Sequence, residues 1–576
     1  MSSSSPNDLS RETLTGIRRL SRVVCNHLRR HVGVGLVCAV GYFDPGNWSV
    51  DLQAGATFGY RPMLFVILLA GLFAIVLQVL AARLGCVTGL GTSRHLYTLV
   101  PEKADSYSLD LASHCRVLLH DHPKYPRLIR YLVLYPLYIM CEIAIISTDL
   151  AELLGSAIGI CLLFPKLPLW AGVLLTGVDV FIFLVIGDPS RTGRPVAIVF
   201  VCFIILLVRV NPDWPQVFMG FLPSEGLFHT NPNAVYTAIG IVGATVMPHA
   251  LFLGSNLSTQ DRVSLAPYGL PSPVGSRCFC LRRRLRELWS SMFRLSKEED
   301  LKDRTTRHSL RQTNTLQFVQ AHLMNGTVDV VLSLLAVAVP INSAILILAA
   351  TVFYTPDGSV PTGLFDMHTL ILQSLGEGSA FIFALALVCS GQTASITATL
   401  SGQIVSEGFI LWKISPFLRR LVTRLISMIP SMIVAFAFGR AGINTLLVAS
   451  QVALSVVLPF VAFPLIYLTS SSTVMSVRMP KLPGEGTVGD ERHHMDIELV
   501  DPRTVATANS ALEPNDIVEE VKQASFDDPP LVDAKPGDPM DFSNNRVVIT
   551  LAYGIWLVVL VANLYAIVML GLGEGG

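Results

Sequence analysis

Two apolar stretches of the sequence are interrupted at mid-length by polar, helix-breaking clusters. One reads Gly41-Tyr42-Phe43-Asp44-Pro45-Gly46-Asn47-Trp48 and the other Gly243-Ala244-Thr245-Val246-Met247-Pro248-His249. Each stretch is long enough to cross a bilayer, which takes about 20 residues. A carboxylate, an amide, a thioether and an imidazole at membrane depth are expensive, which marks them as functional. Proline inside a spanning helix frees backbone carbonyls, and these are tolerated only against protein or a cavity. Asp44 offers a hard anionic oxygen, Asn47 a neutral amide oxygen one turn later, and Met247 a soft sulfur. Calcium and magnesium take oxygen alone. A thioether instead favours Mn²⁺, Fe²⁺, Co²⁺ or heavier ions. Two broken helices with such ligands look like the cation site of a transporter. For Met247 alone, core packing or lipid contact is the alternative.

A third apolar segment carries Glu142, Asp149 and Glu152, and offsets of seven and three put them on one helical face. Three carboxylates along one face of a span suggest a proton path. The alternative is one structural ion pair plus an interfacial acid. His249 suits proton handling near neutral pH, and its place two residues after Met247 favours function over a satisfied core histidine. Arg424 is expected to pair with one of the third-segment acids, whereas Arg419 and Arg420 read as positive-inside anchors. Gln451 fits a helix–helix hydrogen bond or a ligand role equally well. No nucleophile–base or phosphate-loop pattern is present, so an enzyme is not expected. Neither a resident cofactor nor a nucleic-acid partner is expected.

The elements that must position these residues are membrane spans. The chain has 576 residues, 51% hydrophobic and 15% charged, with mean hydropathy +0.55, a profile of a membrane-embedded protein. Apolar windows fall at 32–57, 62–86, 128–162, 167–187, 194–211, 234–257, 316–354, 369–395, 421–438, 442–469 and 547–572. That gives about eleven transmembrane helices, with 316–338 and 340–354 merged into one long region. The breaks fall in the first and sixth, as two five-helix repeats of inverted topology would give. Residues 1–31 read as a tail, 32–469 as the core with an insert at 258–315, 470–545 as a hydrophilic loop and 546–576 as the last span. Both inserts have the composition of solvated linkers. Arg282-Arg283-Arg284-Leu285-Arg286 in the first could touch anionic lipid. Arg and Lys concentrate in the N-terminal tail and alternate connections, which places the N-terminus in the cytosol. The first 30 residues lack the apolar core of a signal peptide. Net charge is formally zero and names no partner. Cys278 and Cys280 read as free cytosolic thiols, with palmitoylation as the alternative. Sequons at Asn47 and Asn325 lie within or beside spans, where glycosylation is not expected.

Taken together, these motifs resemble the Nramp family of proton-coupled divalent metal transporters. Asp44-Pro45-Gly46-Asn47 matches its first-helix motif and Ala244-Thr245-Val246-Met247-Pro248-His249 its sixth-helix motif. Thr148-Asp149-Leu150-Ala151-Glu152 is similar to its third-helix acidic segment. Gly391-Gln392-Thr393-Ala394-Ser395 and Gly402-Gln403-Ile404-Val405-Ser406-Glu407-Gly408-Phe409 are similar to its eighth. The resemblance implies a LeuT-like inverted-repeat fold. It implies metal binding by Asp44, Asn47, Met247 and the Ala244 carbonyl, joined in some states by Gln451. It also implies proton coupling through Asp44, His249, Glu142, Asp149 and Glu152, with Arg424 on the exit route. The expected activity is symport of Mn²⁺ or Fe²⁺ with protons into the cytosol, across a plasma, endosomal or vacuolar membrane. A metal sensor on the same scaffold, or a carrier of Mg²⁺, is the alternative. Many family members carry Asn and a second His where this chain has Ala250 and Gly254. The residues around them and the long inserts are similar to fungal members.

Overall fold

The computed structural model describes residues 33–88, 110–120, 125–186, 193–224, 232–259, 316–354, 363–410, 416–478 and 539–572. The N-terminal tail, most of the insert and most of the 470–545 loop lie outside them, as do Cys278, Cys280 and the Arg282–Arg286 run. Residues Arg478–Met540 form a separate unit, nearly all of it outside the described residues. Apart from two three-residue strands, the regular structure of the described residues is helical, as the sequence implies. The first half contains α1 (Val34–Gly41), α2 (Pro45–Phe58), α3 (Met63–Thr88), α4 (Leu111–His120), α5 (Tyr135–Leu163), α6 (Leu169–Ile186), α7 (Gly193–Val210) and α8 (Trp214–Gly220). The second contains α9 (Pro232–Thr245), α10 (Pro248–Leu257), α11 (Leu316–Ser333), α12 (Val339–Val352), α13 (Leu364–Leu375), α14 (Glu377–Ile410), α15 (Pro416–Ala437), α16 (Gly439–Ser470) and α17 (Arg546–Leu572).

Seven helices among the described residues are long and apolar enough to cross a membrane. The other four expected spans take different forms. The first is the interrupted pair α1 and α2. The fifth is a pair bent by 119° between Val210 and Trp214. The fourth and ninth contain shorter apolar helices, Leu169–Val178 and Leu421–Ala437. The merged region is one span, Phe318–Val352, in which a π-helical stretch over Leu334–Ala338 joins α11 to α12.

Both breaks are visible. α1 stops at Gly41 and α2 starts at Pro45, and α9 stops at Thr245 and α10 starts at Pro248. Proline fits the first helical position because its missing N–H would be unbonded there anyway. The helices bearing the breaks pack together: α9 lies against α2, α10 against α1, and α16 against α2, α9 and α10. α5 and α14 form another closely packed pair and reach α2.

α1 has no cap of its own, because its N-cap residue is Gly33. The cap comes from α11. Asp329 Oδ2 accepts the amides of Gly35 at 2.8 Å and Gly33 at 3.3 Å. A carboxylate at a helix N-terminus also meets the positive end of the dipole. Gly35 permits this approach, since a Cβ there would run into the Asp329 backbone. α4 is held similarly by its neighbours. Asp110 accepts from Ser113 N at 2.9 Å and from Asn256 Nδ2 at 3.0 Å, and Arg116 Nε donates to the Gly408 carbonyl at 3.1 Å.

Asp329→Ala removes the cap of α1, and lost caps typically cost about 1 kcal/mol. The Gly33–Val37 amides should then exchange with solvent roughly five- to tenfold faster. Hydrogen exchange by mass spectrometry reads this directly, and unchanged protection would show that Asp329 does not hold the helix.

Candidate functional site

The first break is closed by side chains. Pro45 has no N–H, so the Gly41 carbonyl loses its helical donor. Asp44 caps α2: Oδ2 accepts from Gly46 N at 3.1 Å and Oδ1 from Asn47 N at 3.1 Å. Asn47 Nδ2 donates to Asp44 Oδ1 at 2.7 Å and to the Tyr42 carbonyl at 3.1 Å. The Ser390 hydroxyl donates to the Phe43 carbonyl. Asp44 and Asn47 are wholly buried, which leaves no room for a glycan on the Asn47 sequon. Asn47 Oδ1 has no hydrogen-bond partner among the described residues.

The second break presents a carbonyl and a sulfur. Pro248 likewise deprives the Ala244 carbonyl of its helical donor. Ala244 and Met247 are both fully buried, so Met247 does not face lipid. Met247 is the extended N-cap residue of α10. Gln451 on α16 lies between the two breaks. Its side-chain amide sits where a Cβ on Gly46 would be, beside the Asp44 carboxylate. Its backbone carbonyl meets Gly243, where a Cβ would approach to 2.8 Å. Gln451 Nε2 donates to Ser450 Oγ at 3.2 Å, and Oε1 has no hydrogen-bond partner among the described residues. Two glycines therefore let one glutamine reach both broken helices.

α5 joins from the other side. Gly155 lies against Pro45, with no space for a side chain between them. His249 is buried, and its Nδ1 is 3.2 Å from Thr148 Oγ1. Thr148 in turn donates to the Ala144 carbonyl at 3.0 Å, so its oxygen is left to accept from the imidazole. Asp149 forms the expected pair with Arg424, at 2.9 Å. Arg424 also donates to the Asp149 carbonyl at 3.2 Å and to Ser395 Oγ at 2.8 Å. Arg419 departs from the anchoring role expected of it. It donates to both oxygens of Glu142, at 2.8 and 3.0 Å, because α15 runs beside α5 and turns both arginines inward. Among the described residues, two of the three acids form ion pairs, where the alternative reading had a single one. A small cavity lined by Asp149, Arg419, Ile145, Thr399 and Thr423 lies along the same helices. Glu152 is buried one turn beyond Asp149. Arg420's side chain lies outside the described residues.

The sequence reading missed several contributors. Thr148 and Ser390 give no signal alone, because hydroxyls in spans commonly bond their own helix. Asp51, fully buried seven residues after Asp44, was legible as a carboxylate in an apolar stretch but was passed over. The missing second histidine has a structural counterpart. Gln78 of α3 reaches across Gly254, where a Cβ would collide with its amide, to the Ala250 carbonyl at 3.3 Å and Cys38 Sγ at 3.1 Å. Among the described residues no three His, Cys, Asp or Glu side chains group as metal ligands. A cation here would rest on a mixed set of carboxylate, amide, carbonyl and thioether.

The comparisons with known proteins agree with one another. A family model described as natural resistance-associated macrophage protein-like, Nramp, matches residues 35–109 and 129–481. The manganese transporter SMF1 of Saccharomyces cerevisiae is 33% identical over 587 residues, covering 100% of this chain and 91% of that protein. The manganese transporter pdt1 of Schizosaccharomyces pombe is 38% identical over 461 residues, covering 78% and 76%. A crystal structure of the Eremococcus coleocola manganese transporter is similar with a TM-score of 0.62 at 25% identity, covering 94% of this chain and 86% of that one. With both broken-helix motifs inside the matched residues, the chain belongs to the Nramp family of multi-span membrane transporters.

Proposed function

We propose that this protein carries divalent transition-metal ions of the Mn²⁺ and Fe²⁺ class into the cytosol, together with protons, by alternating access. The carrying observation is the meeting of the two breaks at Gln451, whose side chain touches Gly46 and whose carbonyl touches Gly243. The names of the relatives, manganese transporters in yeasts, support the choice of cargo. The metal is bound by Asp44 and Asn47 from the first break and by the Ala244 carbonyl and Met247 sulfur from the second. Gln451 joins in states where α16 closes over them. A soft sulfur among oxygens disfavours Ca²⁺ and Mg²⁺.

Protons use a different route. Asp44 exchanges a proton for the metal, and His249 relays between the break and α5. Glu152, Asp149 and Glu142 lead along α5, with Arg424 balancing the charge of Asp149 and Arg419 that of Glu142. Buried acids tied to arginines can pass protons only when those pairs loosen, which links proton movement to the packing of α5 against α15.

Mn²⁺ flux into proteoliposomes tests the reading. An inward proton gradient should accelerate uptake, and Asp44→Ala should abolish it. Uptake indifferent to the gradient would remove protons from the cycle. Absence of uptake with Mn²⁺ still bound would point to a sensor.

Met247→Ala removes the soft ligand. The preference for Mn²⁺ over Ca²⁺ should fall roughly tenfold, the equivalent of about 1.4 kcal/mol. Competition of Ca²⁺ with Mn²⁺ uptake measures this, and an unaltered preference would rule the sulfur out of the site.

Breaking the deeper ion pair should cost more than removing it. Asp149→Asn or Arg424→Gln alone strands a buried charge and should destabilise by about 3–5 kcal/mol. The double variant should be less destabilised than the sum of the two. Thermal unfolding in detergent would show it, and strict additivity would mean that the pair is not coupled.

A further inference from the structure

The short helix α4 (Leu111–His120) has no part in the proposed cycle. Its 10 residues are too few to cross a bilayer, which takes about 20. It nevertheless lies inside the protein. Asp110, Leu111, Ala112, Ser113, His114 and Cys115 are each at most 8% exposed. Successive helical residues are turned by about 100°, so a run of this length is covered on every side. A surface helix would instead keep one open face. α14, α10, α3 and the π-helical stretch Arg130–Leu134 before α5 surround it. α4 is thus seated in the end of the bundle at which α3, α10 and α14 finish, the cytoplasmic end in the proposed orientation.

The seat joins α4 to two neighbours in different ways. On α14, Gly408 admits Ala112 so closely that a Cβ would run into it, and the Gly408 carbonyl accepts from Arg116 Nε at 3.1 Å. On α10 the joint is polar. Asn256 Nδ2 donates to Asp110 Oδ2 at 3.0 Å, and Ser255 Oγ accepts the Leu111 amide at 3.1 Å. The next two hydroxyls along the chain, those of Ser258 and Thr259, bond the Gly254 and Asn256 carbonyls of their own segment. Ser255 and Asn256 are the ones that reach α4. Such bonds exchange for bonds to water at small net cost when a joint opens to the cytosol. His114 Nε2 is buried without a hydrogen-bond partner among the described residues, and water would satisfy it.

α10 connects this joint to the candidate metal site. It is one helix of 10 residues, about 15 Å long. Met247 is its N-cap residue, and Ser255 and Asn256 lie in its last turn. A metal ion drawn to Met247 therefore acts on one end of a rod whose other end holds α4. We propose that α4 is a plug that stays with α14 and closes the cytoplasmic end of the transport route until α10 parts from it. Parting breaks the Asn256–Asp110 and Leu111–Ser255 bonds and lets water into the seat. This deepens the transport reading and rests on it.

Cys115 reports on the joint, because it lies in the covered run, on the same face as Leu111 one turn earlier. Proteoliposomes holding the full chain are treated with N-ethylmaleimide, at rest and during Mn²⁺ uptake driven by an inward proton gradient. Mass spectrometry then quantifies the modified peptides. Cys161, buried near the opposite end of α5, serves as the reference thiol. Cys115 should react roughly threefold faster or more during uptake than at rest, as the opened state is populated. With Ser255→Ala and Asn256→Ala combined, the resting rate should rise to that level. Uptake without faster reaction at Cys115 would overturn the plug and leave the transport reading standing. That comparison uses the unsubstituted chain, so it decides the matter even if the double variant fails to fold. A folded double variant with an unmoved resting rate would overturn the plug as well. Absence of uptake by the unsubstituted chain would overturn the transport reading, and this proposal with it.

Discussion

A helix interrupted within an apolar bundle must find partners for every amide and carbonyl it frees, because no water in the hydrocarbon can take them. At the first break this demand is met side chain by side chain. Asp44 takes two amides and Asn47 returns a donor to the Tyr42 carbonyl. Ser390 comes from another helix for Phe43. At the second break proline removes the donor that Ala244 would have used. The same shortage that requires capping leaves carbonyl oxygens without their helical donors, and such oxygens are what a cation needs. Glycine then decides which helices come close enough to share them, with Gly46 and Gly243 admitting Gln451, and Gly155 admitting the first break.

The parts of this design that break the apolar rule were legible in the sequence. Asp44, Asn47, Met247 and His249 stand out because polar groups in spans are rare, and the acids of α5 stand out by their spacing. Partner choice was not legible. Arg419 reads as an interfacial anchor, and only the run of α15 beside α5 reveals that it grips Glu142. Gln451 offered two equal readings until the crossings at Gly46 and Gly243 placed it. Gly254 looked like a lost histidine, whereas the space is filled from α3 by Gln78. Span counting blurred where helices are short or bent, since hydropathy measures composition and not continuity. The two windows merged at 316–354 are one span because a π-helical stretch carries α11 into α12.

The two arginine–carboxylate pairs tie α5 to α15 without adding much stability. Buried pairs roughly offset their desolvation, while a lone survivor is heavily penalised. They therefore act as registration devices. Arg424 makes this plain, because it reads the Asp149 side chain, the Asp149 carbonyl and Ser395 on α14 at once. Three helices must be in one alignment for that guanidinium to be satisfied, and a second alignment would need other partners for it.

Asp44 is at once the cap of α2 and the proposed ligand, and the two roles compete. A dication drawing on its oxygens weakens the bonds from Gly46 N and Asn47 N, and Asn47 must turn its oxygen inward from a pose in which its nitrogen faces the carboxylate. Each bound ion is held by the difference between new coordination and lost capping. Asp44 and Asn47 thus have a hydrogen-bonded arrangement of their own to return to. In the proposed cycle that would limit residence time, since departure of the ion restores the hydrogen bonds Asp44 makes with Gly46 N, Asn47 N and Asn47 Nδ2.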